Sequence, residues 1–112
     1  VVAELVSRVR PAAVLLASSQ EGKEIAARLA VKLDNGILTD VVGLAADGTA
    51  TQVAFAGSTI VTSKVTRGLP LVTVRPNSVN PTPAAAAPAV EQLTVAVTDT
   101  DKLAKVVDRV AE

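Results

Sequence analysis

The chain has no cysteine and no histidine. The first absence removes disulfides, thiol nucleophiles and cysteine–zinc clusters, and it fits a reducing compartment. The second removes the commonest general base and a common metal ligand near neutral pH. Tryptophan and tyrosine are missing and Phe55 is the single aromatic residue, so a core has to be built from valine, leucine, isoleucine and alanine. Charge of one sign is not in excess either. Eleven basic and eleven acidic residues, without like-signed blocks, give a net charge of zero. That removes the electrostatic case for nucleic acid or an anionic membrane as partner. No apolar run approaches the length of a bilayer span, and no charged leader precedes one. The chain therefore reads as soluble and cytoplasmic, without membrane insertion. Methionine is also absent, position 1 included, and the first residues look like the middle of a helix, so a piece of a longer protein is expected.

What is present is organised around residues 13–33, AVLLASSQEGKEIAARLAVKL. The apolar run Ala13 to Ala17 is too short for a helix and shows no polar alternation, which predicts a strand buried on both faces. A polar turn, Ser18 to Glu21, follows. Ile25, Ala26, Leu29, Ala30 and Leu33 then recur at helical spacing, with Lys23, Glu24, Arg28 and Lys32 on the other side. Ser18 three residues before Glu21 matches a capping box, and Asn35-Gly36 supplies a left-handed stop. This is one strand-to-helix unit of an α/β sheet.

Val2, Leu5, Val6 and Val9 predict a helix over residues 1–10 with one buried face, ended by Arg10-Pro11. From Gly36 the texture changes. Residues 37–45 and 50–65 are rich in β-branched side chains and flank Ala46-Asp47-Gly48, a hairpin signal. Ala56-Gly57-Ser58 inside the second run reads as a bulge or kink. Arg67-Gly68 makes another turn, and Leu71 to Arg75 reads as a strand bounded by Pro70 and Pro76. The expected sheet is mixed, parallel at its start and antiparallel later. Residues 80–91, rich in proline and alanine, read as an extended connector. Gln92 to Val97 is expected to be a strand. Helix and strand both fit residues 101–112, where Leu103, Val106, Val107 and Val110 recur.

Few residues invite a chemical role. The turn Ser18 to Lys23 has the hydroxyls, lysine and helix amides that bind phosphate, but no glycine-rich phosphate loop, and Glu21 would repel an anion. A helix cap is the favoured reading. Asp40 lies in an apolar strand run with no partner placed to work with it, so it reads as structural rather than as a general base. Glu24 and Arg28 are an i, i+4 surface pair. Arg75 is either an anchor for a carboxylate or a partner, or a plain rim charge. Phe55 is read as core or interface packing. No residue is assigned as catalytic, cofactor-binding or metal-ligating.

Three segments, in order over residues 11–79, resemble the N-terminal domain of the electron transfer flavoprotein α-subunit family. AVLLASSQEGKEIAARLAVKL is similar to that family's strand and Gly-Lys/Arg-Asp/Glu-Ile-Ala…Arg-Leu-Ala helix. GILTDVVGL matches its Gly-Leu-x-x-Asp segment through Gly36 and Asp40. AFAGSTIVTSKV and PLVTVRP resemble its glycine-containing strand and its Thr-Val-Arg-Pro strand. Gln52, Val53 and Ser58 depart from the arginine, proline and asparagine frequent in the family. The resemblance implies an α/β fold, adenine nucleotide α-hydrolase-like and incomplete. It divides the chain into part of an N-terminal domain (1–79), a connector (80–91), and a strand and crossover (92–112) towards an absent FAD-binding domain. The parent protein would be an electron carrier rather than an enzyme. Paired with a β-subunit, it would pass electrons through FAD from dehydrogenases, such as those acting on acyl-CoA, to a membrane quinone reductase of the respiratory chain. This piece would be scaffold and subunit interface, holding no cofactor and prone to self-association at an open edge beside residues 13–17. Two alternatives stand: a small nucleotide-binding protein of the universal-stress type, and a stand-alone interaction module.

Overall fold

A computed structural model describes residues 1–111. Two helices come first, α1 (Val2–Val9) and α2 (Gln20–Leu33), separated by strand β1 (Val14–Ala17). Strands β2 (Leu38–Leu44), β3 (Ala50–Ala54), β4 (Thr59–Ser63) and β5 (Leu71–Val74) follow, and a short 3-10 turn covers Thr100–Lys102. The sheet order is β1-β5-β2-β3-β4. β5 runs parallel to both β1 and β2, while β2–β3 and β3–β4 are antiparallel. The mixed sheet expected from the sequence is therefore present, with its parallel part built early and completed late in the chain.

Helix α2 forms where the apolar spacing is strictest. Gly22, Ala26, Leu29 and Ala30 are buried along one stripe, with Leu33 half-buried at its end. Ile25, expected on this stripe, lies on its exposed side. Gly22 is required by the junction: a Cβ there would overlap the carbonyl oxygen of Ala17, so the helix can lie this close to β1 only through glycine. The cap is Ser19, whose Oγ accepts the Gly22 N–H at 3.0 Å, and not Ser18 as the capping-box spacing suggested. The left-handed stop is likewise Asp34 (φ 51°) rather than Asn35-Gly36. In α1 the stop is Arg10, also left-handed (φ 49°), immediately before Pro11. The apolar stripe expected on α1 is only partly taken up. Val2 and Val6 are half-buried, while Leu5 and Val9 are exposed.

The core is split by the sheet. Under the helices, Leu29, Ala30 and Leu71 are packed by Val2, Ala3, Val14, Leu16, Leu33 and Ile37. Because successive strand residues face opposite ways, Val72 belongs to the other face, where it packs with Val41, Ala50, Leu38 and Val74. β5 is thus the buried strand, with Leu71, Val72 and Thr73 all inaccessible. β1 is an edge strand instead of one buried on both faces. Val14 and Leu16 are half-buried beneath the helices, but Leu15, in register with Val72, is 53% exposed.

The hairpin expected at Ala46-Asp47-Gly48 joins β2 to β3, held by Ala45 N–H to Thr49 carbonyl at 2.8 Å. The long second run is two strands, and Gly57 is part of the turn between them rather than a bulge. Phe55, Ala56 and Gly57 all take positive φ there (50°, 55° and 91°). The irregularity lies in β2, whose register slips on both sides of Val41. Beyond Val74 the connector residues 80–91 are exposed and irregular, and the strand expected over Gln92–Val97 is absent. A strand there would need a neighbour at the sheet edge; these residues instead lie near α1, with Glu91, Gln92 and Leu93 across a cleft from Leu5, Arg8 and Val9. Residues 103–111 are neither helix nor strand, and Glu112 lies outside the described residues. No helix among the described residues is long and apolar enough to cross a membrane.

Candidate functional site

In an open sheet with parallel strands, ligands are held at the carboxyl ends of those strands. Here β1 and β5 finish side by side, and β2 passes them at Asp40 and Val41. The three are stitched together by backbone bonds: Ser18 N–H to the Val74 carbonyl at 2.8 Å, and Arg75 N–H to the Val41 carbonyl at 2.9 Å.

Thr73 is the buried polar residue at this end of the sheet. Its hydroxyl donates to Ser18 Oγ at 3.1 Å and accepts the Asp40 N–H at 2.9 Å, so it is satisfied both as donor and as acceptor. Asp40 sits in the slipped stretch of β2 with φ 56°, a left-handed conformation that aspartate tolerates better than most side chains. Its carboxylate receives a two-pronged contact from Arg75, Nε to Oδ1 at 3.2 Å and Nη2 to Oδ2 at 2.6 Å. The Arg75 bond holds the Asp40 carboxyl below its usual range; partial desolvation opposes this, and the charges of Arg75 and Lys23 and the Ser18 hydroxyl add to it. The same hydrogen bond pushes Arg75 up from its ordinary value. A carboxylate so stabilised is a poor proton acceptor at neutral pH.

The structure gathers Ser18, Lys23, Asp40 and Arg75 into one neighbourhood and leaves the other singled-out residues apart. Arg75, left open between a carboxylate anchor and a rim charge, holds a carboxylate of its own chain. Glu24 and Arg28 form the expected i, i+4 pair at 3.2 Å, both largely exposed. Phe55 is 83% exposed at the β3–β4 turn and takes no part in the core. Sequence reasoning passed over Thr73 and Asn35. A lone threonine inside Leu71-Val72-Thr73-Val74 was the available signal for a buried polar link. Asn35, read as part of a helix stop, donates to the Gly36 and Leu69 carbonyls at 2.7 and 2.8 Å and accepts the Leu69 N–H at 3.0 Å. Among the described residues no group of three or more acidic, histidine or cysteine side chains could hold a metal ion.

Comparison with known proteins places this arrangement. The family model described as "Electron transfer flavoprotein domain" matches residues 1–98. The chain is 39% identical over 97 residues to proteins named electron transfer flavoprotein subunit alpha from two strains of Mycobacterium tuberculosis, CDC 1551 and H37Rv. It has the same identity over the same length to the protein of that name from Mycobacterium leprae. The match covers 87% of this chain but only 30% of each relative, so the chain spans about a third of their length. The mixed five-stranded sheet with its helices is of the adenine nucleotide α-hydrolase-like type to which that domain belongs. The chain belongs to the electron transfer flavoprotein domain family.

Proposed function

We propose that this chain is a scaffold and subunit-interface portion of an electron transfer flavoprotein α-subunit. The observation that carries the reading is the 39% identity, over 97 residues, to α-subunits about three times its length. In the parent protein the α-subunit pairs with a β-subunit and works in the cytoplasm. Together they carry electrons from dehydrogenases, acyl-CoA dehydrogenases among them, towards a quinone reductase of the respiratory chain. Residues 1–79 form the α/β part, 80–91 connect, and 92–112 lead towards the portion that carries the flavin.

The residues present do not fit FAD. Phe55 is the one aromatic ring, and it stands exposed at a hairpin tip with no polar groups gathered to bind an isoalloxazine or a pyrophosphate. The N–H of Gly22 at the start of α2 is already taken by Ser19. Arg75, the strong anion ligand nearby, is occupied by Asp40. This mismatch supports a scaffold role for these residues, with electron transfer carried by the rest of the subunit. Titration of FAD against residues 1–112 with flavin fluorescence as readout tests this: no quenching is expected, and stoichiometric binding would overturn it. The complementary measurement is co-purification of the full α-subunit with its β-subunit. Loss of that pairing on substituting exposed residues of 1–79 is expected if this portion carries the interface.

A further inference from the structure

Arg75 brings a guanidinium to the carboxyl end of β5, where an α/β sheet ordinarily meets its ligands. A guanidinium there is a rigid fork matched to two oxygens of a phosphate or carboxylate. In this chain the Nε/Nη2 edge of that guanidinium is already engaged by Asp40, at 3.2 and 2.6 Å. The backbone is arranged to produce that contact. The register of β2 against β5 slips between Leu38 and Val41. Asp40 adopts φ 56° at the slip, and its N–H is fixed by the buried Thr73 hydroxyl, itself bonded to Ser18. Ser18 and Lys23 further favour the charged carboxylate. The Gly22 N–H at the start of α2 is held by Ser19 Oγ and takes no part in this arrangement.

We propose that Asp40 is a resident anion: its carboxylate occupies the place beside Arg75 that a ligand phosphate would take, and so excludes phosphorylated ligands from this end of the sheet. The proposal goes beyond the scaffold reading and does not depend on it. An incoming phosphate would have to displace a partner tethered in the same chain, which has almost no entropy left to lose. The displaced carboxylate would then face the phosphate as a like charge.

The test uses the full-length subunit in its assembled complex, with inorganic pyrophosphate as the probe and calorimetry at low ionic strength as the readout. Asp40→Gly removes the carboxylate while suiting the left-handed backbone. Asp40→Asn removes only the charge and keeps the shape. Asp40→Gly is expected to bind pyrophosphate at least about tenfold more tightly than the unaltered protein. That gain should vanish in Asp40→Gly/Arg75→Gln, with Asp40→Asn falling between. A folded Asp40→Gly with no gain overturns the proposal, as does a gain that survives loss of Arg75. If neither single variant folds, the carboxylate serves the fold itself and the proposal falls as well.

Discussion

The side-chain amide of Asn35 meets the backbone of Leu69 on both sides, donating to its carbonyl at 2.8 Å and accepting its N–H at 3.0 Å. This joins the end of α2 to the loop that feeds the central strand. Gly68 makes the approach possible, since it has φ 87° and a Cβ there would overlap Asn35 Oδ1. Asn35→Ala removes three bonds and leaves the Leu69 groups to find water, at an expected cost of about 2–3 kcal/mol. Gly68→Ala should cost a similar amount through its positive φ and the overlap, about 1–3 kcal/mol. Urea denaturation measures both. A cost under about 0.5 kcal/mol for Asn35→Ala would show that the link does not hold the loop.

Gly22 gives a prediction of sign. Alanine normally stabilises an exposed helix position relative to glycine by about 0.5–1 kcal/mol. Here the added methyl would meet the Ala17 carbonyl, and α2 would have to lift off β1. Gly22→Ala is therefore expected to lower stability by about 1–3 kcal/mol, as overpacking does. A rise in melting temperature would mean that the helix end has room that the structure does not show.

Asp40 sets a pH dependence. Its folded-state pKa lies below the ordinary 3.8, chiefly through the Arg75 hydrogen bond. The stability it contributes is therefore complete above about pH 4–5 and is lost as pH falls through the folded value. Arg75 stays charged throughout. Asp47 and Asp101 are held low as well, by the Thr49 and Thr98 backbone N–H groups, but both persist in an Asp40 variant and cancel in the comparison. Asp40→Asn should be less stable than the unaltered chain at pH 7, and the gap should close on acidification below pH 3.8. A gap that stays constant to pH 2 would assign the effect to shape rather than charge.

How much of this was legible in the sequence depends on whether the signal was local. The α2 helix, the Asp-Gly hairpin and the Leu71 strand follow from spacing and turn chemistry, and all three are present, although Ile25 falls outside the buried stripe. Strand order was not legible. The apolar run at 13–17 looks as central as 71–74, and only insertion of β5 between β1 and β2 makes one an edge and the other the core. Caps moved by one residue, from Ser18 to Ser19 and from Asn35 to Asp34, because neighbouring polar residues compete for one geometry. The Asp40–Arg75 pair spans 35 residues, and no local pattern announces it. The resemblance drew Asp40 and Arg75 into matched motifs separately; the register slip in β2 is what brings them together.

The two edges of the sheet lead to the last prediction. The open edge expected beside residues 13–17 is present: β1 is terminal, with Leu15 turned outward. The other terminal strand, β4, is the more exposed: Thr59 to Thr62 are all open, Ile60 at 71%. No charged residue occurs between Asp47 and Lys64, so this edge lacks the lysines, prolines and inward charges that normally keep edges from pairing. An uncharged run of β-branched residues with free backbone groups is the pattern that adds a strand from another molecule. Residues 1–112 alone are therefore expected to self-associate, with light scattering giving a mass that rises with concentration. Ile60→Lys should suppress this more than Leu15→Lys, because β4 is longer than β1 and exposed on both faces. Neither change should alter unfolding stability by more than about 0.5 kcal/mol, as both sites are at the surface. A concentration-independent monomer would remove the premise, and equal suppression by the two variants would show that β4 has no special part in it.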